Sequence, residues 1–412
     1  MRPLVKLLIA SFLLLPSFSS CAPTPAETTP EAQPTVTAIP RMPTSLPCTS
    51  ISADPTPGAD APSLFPPITE ADHTRGPQGA IVTILVYGDL QDGTSGLFAG
   101  VVKRLLSEYP RDIRYVSRVF PLVGRNDKAT LAAQAVEAAN LQGKFWEMHD
   151  LLYTQQQNWV NLSMEDFAQW SAAQASALGM NVEQYQADVK SEAVAALVQS
   201  NFETAQKFGP FAVPLIVING EIYLGPQDYA SVNDIVRLIL LGGRQFTDCP
   251  PMLVERTKQY IATLHTEKGD VAIQLFADKA PYTVNSFIFL ARNGWYDNVT
   301  FHRVLPGLYA QTGDPSGTGK GTPGYYVITE ILPGLTFDKP GMAAMVNSGP
   351  DTSGSQFFVT YAPAPQFDGL YTIFGQVLSG MEVLESLAPR DTQVGVETPP
   401  GDLLLGVEIE EK

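Results

Sequence analysis

The sequence predicts a multidomain chain, an α/β domain with a helical insertion followed by a closed antiparallel β-barrel. Two observations carry that expectation. Ile81–Tyr87 is a continuous β-branched run suited to a buried strand, and it opens a strand–helix–strand pattern followed by helix after helix. After Lys258 the pattern changes to antiparallel strands with only two helices, which points to a barrel capped at its ends. Length agrees, since 412 residues exceed one ordinary domain.

Taken in order, residues 1–20 read as a secretory signal: a charged start at Met1–Lys6, an apolar run from Leu7 to Leu15, and small residues ending at Ser20. Residues 21–63 form a Pro/Thr-rich tether. From Ala22 to Gly79 the chain holds thirteen of its 34 prolines, and no apolar period runs through the first part, so an extended spacer is expected. Residues 64–247 make the first domain. Its expected strands are Ile81–Tyr87, Ile113–Phe120, Leu215–Ile218 and Glu221–Leu224, the last two joined by the hairpin turn Asn219-Gly220. Helices are expected over Leu97–Tyr109, repeatedly within Asp127–Phe208, and over Asp228–Leu241. Residues 248–257 are a linker and 258–412 the second domain. There the pattern predicts a hairpin of Tyr260–Leu264 and Val271–Phe276, a helix over Tyr282–Asn293, and a last strand over Asp402–Glu410.

Two stretches of the second domain, Phe301–Asp314 and Asn347–Phe358, hold its chemistry. Alternation puts Arg303 on one face with Phe301 and Leu305, Tyr309 with Gln311 and Gly313, and Gln356 with Phe358 and Thr360. Brought near each other, they offer a guanidinium, amides and apolar surface. No acid–base pair, nucleophile or metal cluster accompanies them, so no cofactor or metal is expected. The mixture suits gripping a peptide rather than cutting one. Gly317–Gly321 lacks the glycine and hydroxyl spacing of a phosphate loop and reads as a plain loop.

The runs FHRVLPG, QTGDPSGTGKGTPGY, MVNSGPDTSGSQFF and FDGLYTIFGQV make the chain from about Tyr260 onward resemble a cyclophilin-type peptidyl-prolyl cis-trans isomerase. The resemblance implies isomerase activity with Arg303 as the catalytic cation. It implies a proline seat built from Leu308, Tyr309, Phe358, Phe367 and Tyr371, and substrate contacts from Gln311, Asn347 and Gln356. His302 reads as structural. Leu308 stands where the family usually has Phe, Tyr371 where it often has His, and Gln366 where many eukaryotic members carry Trp. The implied partners are proline-containing unfolded or secreted polypeptides. The rival reading is a peptide-holding chaperone without catalysis.

Residues from about Gly76 to Leu241 resemble the thioredoxin fold of bacterial periplasmic disulfide oxidoreductases, through GKFWEMHDLLY and VPLIVING. The resemblance implies a cis bond before Pro214. At the turn where that family carries C-x-x-C, Asp92 and Ser95 stand instead, and no hydroxyl can form the mixed disulfide that thiol exchange requires. The expectation is a redox-inactive platform or a peptide-binding groove.

Cys21 follows two serines, which resembles a bacterial lipobox and implies a lipid anchor on the outer face of the cytoplasmic membrane. Cleavage by ordinary signal peptidase is the alternative. With Cys21 acylated, Cys48 and Cys249 remain as an even pair, and a disulfide between them is expected. The net charge of −16 argues against nucleic acid as a partner.

Overall fold

The structure, a computed structural model, describes residues 43–51, 65–207, 211–392 and 400–412. The expected signal and Cys21 lie outside the described residues. Among the described residues no helix is long and apolar enough to cross a membrane.

Among the described residues the first element is the short strand β1 (Cys48–Ser50). The first domain then runs β2 (His73–Arg75), β3 (Val82–Gly88), α1 (Gly93–Glu108), β4 (Ile113–Val119), α2 (Ala129–Asn140), α3 (Phe145–Thr154), α4 (Gln156–Trp159), α5 (Met164–Ala177), α6 (Val182–Val189), α7 (Glu192–Gln206), β5 (Leu215–Ile218), β6 (Glu221–Ile222) and α8 (Tyr229–Leu241). Its five strands are ordered β2-β4-β3-β5-β6, with only β3 and β4 parallel. Alternation along β3 divides its apolar residues between two cores. Ile84 and Val86 pack with Phe98, Val102 and Val236 from α1 and α8, while Leu85 and Tyr87 pack with Phe120 and Ala205. The insertion from α2 to α6 closes a core of its own around Trp159 and Phe167. The helix α1 begins four residues before the expected Leu97, because the Asp92 side chain caps it by accepting from the Ser95 N–H. The Val213–Pro214 bond is cis.

The second domain runs β7 (Tyr260–Thr266), β8 (Gly269–Leu275), α9 (Pro281–Arg292), β9 (Val299–Thr300), β10 (Arg303–Leu305), β11 (Tyr309–Thr312), β12 (Tyr325–Val327), β13 (Met342–Met345), β14 (Phe357–Thr360), β15 (Ile373–Ser379), α10 (Met381–Glu385), β16 (Arg390–Asp391) and β17 (Leu403–Glu411). Tyr260, Ala262 and Leu264 point inward with Val271, Ile273 and Leu275, against Phe287 and Ile288 of α9.

Closure of the barrel is corrected by the sheet order, β16-β10-β11-β14-β13-β15-β8-β7-β17-β9. The sheet curls strongly, but its end strands β16 and β9 do not pair with each other. Each is only two residues long. Phe301 and His302 carry the chain from one end of the sheet to the other, and the Phe301 N–H bonds to Asp402 of the β17 side instead.

The tether is also corrected. Residues within 43–51 are not a free spacer: β1 pairs with β12, Leu46 joins the second domain's core, and the Leu46 N–H donates to the Pro250 carbonyl. The sulfurs of Cys48 and Cys249 are placed at bonding distance, with Cα atoms 5.9 Å apart. This part of the tail therefore lies along the second domain rather than across the junction. The linker does the same, since Val254 is buried in that core.

Candidate active site

The site is a row of neighbours across five strands. Arg303 of β10 faces Gln311 of β11, Gln311 faces Phe358 of β14, Phe358 faces Ala344 of β13, and Ala344 faces Ile373 of β15. Directly opposed residues share a face, so a cation, an amide and an aromatic ring stand side by side. Sequence alternation gave the faces of Arg303, Gln311 and Phe358 within their strands, and only the register joins them. Phe301, expected beside Arg303, instead lies before β10 and packs with Val304 in the main core.

Arg303 is held from behind by Asp391 of β16, with Nε 3.2 Å from Oδ1 and Nη2 donating to Oδ2 at 3.4 Å. The first contact is too poorly aligned to be a hydrogen bond, so the buried Nε–H stays unsatisfied. The guanidinium lies 5.7 Å from the centre of the Tyr309 ring. Asp391 gave no signal in the sequence, because a strand of two residues shows no alternation.

Behind Arg303 the amides form a chain. Gln311 Nε2 donates to Gln356 Oε1 at 3.0 Å and lies 3.1 Å from His302 Nε2. Gln356 Nε2 donates to the carbonyls of Gly319 and Gly321, both at 3.1 Å. Burial pushes the His302 imidazole down to about 4, so it is neutral and can accept from Gln311. The loop is shaped by the buried Asp314 carboxylate, which accepts from the Ser316, Gly319 and Gly321 N–H groups at 2.8, 2.8 and 2.9 Å. Gly313 lets the two stretches meet: at φ +93° it tolerates a backbone approach in which any β-carbon would collide with the Ser355 carbonyl. Asn347 stands apart from this chain, its Nδ2 donating to the Leu370 carbonyl at 2.9 Å.

The aromatic seat is continuous. Phe358 has ring centroids 5.3 Å from Tyr309, 5.5 Å from Phe367 and 5.3 Å from Tyr371. Leu308 packs against the same cluster. Phe337, Met342, Ala344 and Ile373 complete its floor and were not singled out from sequence. Phe337 lies in a loop, where no periodicity marks a core residue; it lies 5.9 Å from Phe358, ring to ring. Gln366 is exposed at the rim.

The corresponding turn of the first domain has a different character. The Asp92 carboxylate accepts from the Thr94 hydroxyl at 2.6 Å, the Ser95 N–H at 2.8 Å and the Ser95 hydroxyl at 3.0 Å. Asp89 accepts from the Gln91 and Leu122 N–H groups, both at 2.7 Å, and burial raises its pKa. Deeper in the domain, Ser117 Oγ lies 3.2 Å from His149 Nε2, whose Nδ1 lies 2.9 Å from Asp150. The order is that of a hydrolase relay, but Ser117 sits mid-strand with its backbone between β2 and β3. Among the described residues its strand is paired on both sides, unlike the exposed turn on which a nucleophile with an oxyanion hole is presented. Burial lowers the His149 pKa as well, and the cluster is structural.

Among the described residues, no group of His, Cys, Asp or Glu is placed to hold a metal ion. Among the described residues, the face around Arg303 and Phe358 brings together a cation, amides and aromatic rings rather than a nucleophile with a base beside it. It can hold an extended peptide and set a positive charge against it, which is the equipment of an enzyme that changes peptide conformation. Residues 261–404 match the family model of cyclophilin type peptidyl-prolyl cis-trans isomerases, and residues 68–237 match a thioredoxin model. A peptidyl-prolyl cis-trans isomerase of Arabidopsis thaliana is 46% identical over 143 residues, 34% of this chain and 86% of that protein. Peptidyl-prolyl cis-trans isomerase A of Mycobacterium tuberculosis is 40% identical over 162 residues, 35% of this chain and 89% of that protein. A crystal structure of a Cryptosporidium parvum cyclophilin is 33% identical and is covered over 98% of its length and 37% of this chain, with a TM-score of 0.34. The chain belongs to the cyclophilin-type peptidyl-prolyl cis-trans isomerases, and its enzymatic activity is the cis–trans isomerisation of X-Pro bonds.

Proposed function

We propose that the enzyme acts on exported or unfolded polypeptides at the cell envelope, with Arg303 as the group that lowers the barrier. An X-Pro bond keeps partial double-bond character and isomerises unaided in tens to hundreds of seconds. Millisecond turnover needs about 10⁵-fold acceleration, roughly 7 kcal/mol. Twisting the amide localises a lone pair on the prolyl nitrogen. A donor aimed at that nitrogen binds the twisted state better than either planar one, which is the condition for catalysis.

The observation that carries the reading is the register row, which sets Arg303 beside Gln311 and Phe358. The proline ring rests in the seat of Leu308, Tyr309, Phe358, Phe367 and Tyr371. Gln311, Gln356 and Asn347 hold the substrate backbone on the stationary side. The test is isomerisation of a short proline peptide by wild type and by Arg303→Ala, with circular dichroism to check the fold. Unchanged turnover in a folded variant would overturn the role.

The location rests on the N-terminal sequence: a charged start, an apolar run and Cys21 after two serines. Lipidation of Cys21 anchors the chain to the outer face of the cytoplasmic membrane. Cys48 and Cys249 form a disulfide in that oxidising compartment, a reading supported by their adjacency. The first domain carries no redox chemistry and serves as a platform, a reading supported by a turn that spends its polar groups on itself. Intact mass of the mature protein checks the anchor; an unmodified N-terminus beyond Cys21 rules it out.

A further inference from the structure

The junction of the two domains holds a cleft of about 670 Å³. One wall is α8 with Asp234 and Arg237, beside Arg104 of α1. The other is the 317–320 loop with Lys320, and the end of β16 with Arg390 and Thr392. Four cations thus face one carboxylate, in a chain whose net charge is −16.

Two of those cations are occupied. Arg104 bonds to Glu108 at 3.0 Å and lies 3.4 Å from the centre of the Tyr229 ring, and Lys320 is 3.7 Å from Asp234. Arg237 and Arg390 have no carboxylate partner among the described residues. Arg390 is also desolvated: its Nε and Nη1 are buried without a hydrogen-bond partner, as is the Thr392 hydroxyl. Burial, and then the charge of Arg237, hold the Arg390 pKa below its ordinary value. Arg237 reaches over the junction, since a β-carbon on Gly317 would lie 2.7 Å from its Nη2 and 2.8 Å from the Thr300 hydroxyl. That hydroxyl too is buried and unpartnered.

Buried donors in such number are costly unless an acceptor meets them. Here the unpartnered donors of Arg390 and Thr392 lie on the cleft wall opposite the half-buried Arg237 of α8, and two like charges share the space. One species resolves both problems, an oxyanion with oxygens on several sides. Arginine forks suit phosphate oxygens in particular. The cleft is larger than a bare ion fills. We propose that the interdomain cleft binds a soluble phosphate-bearing small molecule, its oxyanion seated between Arg237 and Arg390 with the Thr392 hydroxyl as a further donor.

The seat borders the isomerase site through two short connections. Arg390 precedes Asp391, which backs Arg303, and Gly319 of the loop accepts from Gln356. A ligand here therefore touches both elements that position the site, and bridges the two domains as it does so.

The test is calorimetric titration of the full chain with inorganic phosphate and with pyrophosphate at fixed ionic strength. It reads binding directly and so stands apart from the role given to Arg303. The expected result is saturable one-site binding, weakened about tenfold or more by Arg237→Ala and by Arg390→Gln, and unchanged by Lys279→Ala on a distant surface. Should Arg390→Gln fail to fold, Arg237→Ala decides alone, because that half-buried side chain makes no hydrogen bond within the described residues. No saturable binding at millimolar ligand, or equal affinity in wild type and the arginine variants, overturns the proposal. Phosphatidic-acid vesicles form a second arm: retention on them without pyrophosphate binding in solution overturns a soluble ligand in favour of a lipid head group.

Discussion

The two domains treat their polar groups in opposite ways. At the start of α1 the turn is closed on itself: Asp92 takes three donors from its own helix end, and Ser95 is 3% exposed. On the face of β10 and β11 the Arg303 side chain keeps 23% of its surface, and its contacts with Asp391 are long. A charge that is positioned but unsaturated can still respond to a substrate. A carboxylate that has spent its lone pairs on backbone and hydroxyl donors can only stabilise. The difference separates a surface that leaves a cation open to a partner from a turn whose polar groups satisfy one another.

The largest expected effect sharpens this contrast directly. Arg303→Ala should reduce turnover by about 10²-fold or more, in line with loss of one preorganised transition-state donor, while thermal stability changes little. Peptide isomerisation and a melting curve read the two quantities side by side.

Acid should act on two buried groups, His302 and Asp89, with opposite signs. His302 titrates at about 4 in the fold against an ordinary value near 6.5. Between those values the unfolded chain binds the proton and the folded one does not, so stability is full above about 6.5 and is lost as pH falls towards 4. By linkage the loss is at most about 3 kcal/mol. Protonation would also remove the acceptor that Gln311 faces. Asp89 in the first domain is raised by burial, so its protonation favours the fold as pH drops through its folded value. Urea melts at successive pH values of the wild type and of the His302→Gln and Asp89→Asn variants check both directions. The first substitution should lessen the loss of stability below about 6.5, and the second should remove a gain on acidification.

A smaller effect is expected at Asp391→Asn. The Arg303 head group loses its ionic backing but keeps its strand, so turnover should fall by several-fold, about 1 kcal/mol. A fall as large as that of Arg303→Ala would instead give Asp391 a direct part. The smallest effect belongs to the first domain. Asp92→Ala removes the cap of α1 and should cost about 1 kcal/mol of stability there, with isomerisation unchanged. Loss of isomerase activity in that variant would show that the domains are coupled through the junction.

How much of this is legible in the sequence depends on the range of the interaction. The strand Val82–Gly88 and the hairpin of β7 and β8 announce themselves through local pattern, and alternation assigns faces within β10, β11 and β14. The cap at Asp92 is equally local, yet the expected helix began late because Gly93, Thr94 and Ser95 are poor helix formers read singly. Asp391, Phe337 and β1 are of another kind. Each depends on a partner far along the chain: Arg303, Phe358 and Tyr325–Val327. The open sheet belongs with them. Strand count suggests a barrel, but whether the end strands meet is decided by two residues, Phe301 and His302, which join β9 to β10 without pairing them.

The pairing of β1 with β12 changes what the chain's order means mechanically. Residues on both sides of the first domain, Ser45 with Pro251 and Cys48 with Cys249, meet on the flank of the second. The first domain is thus a side loop, entered and left at one point, although in sequence it stands between tail and isomerase. Tension drawn between residue 43 and residue 412 would travel through β1, β12 and the curled sheet, and would bypass the five-stranded domain altogether.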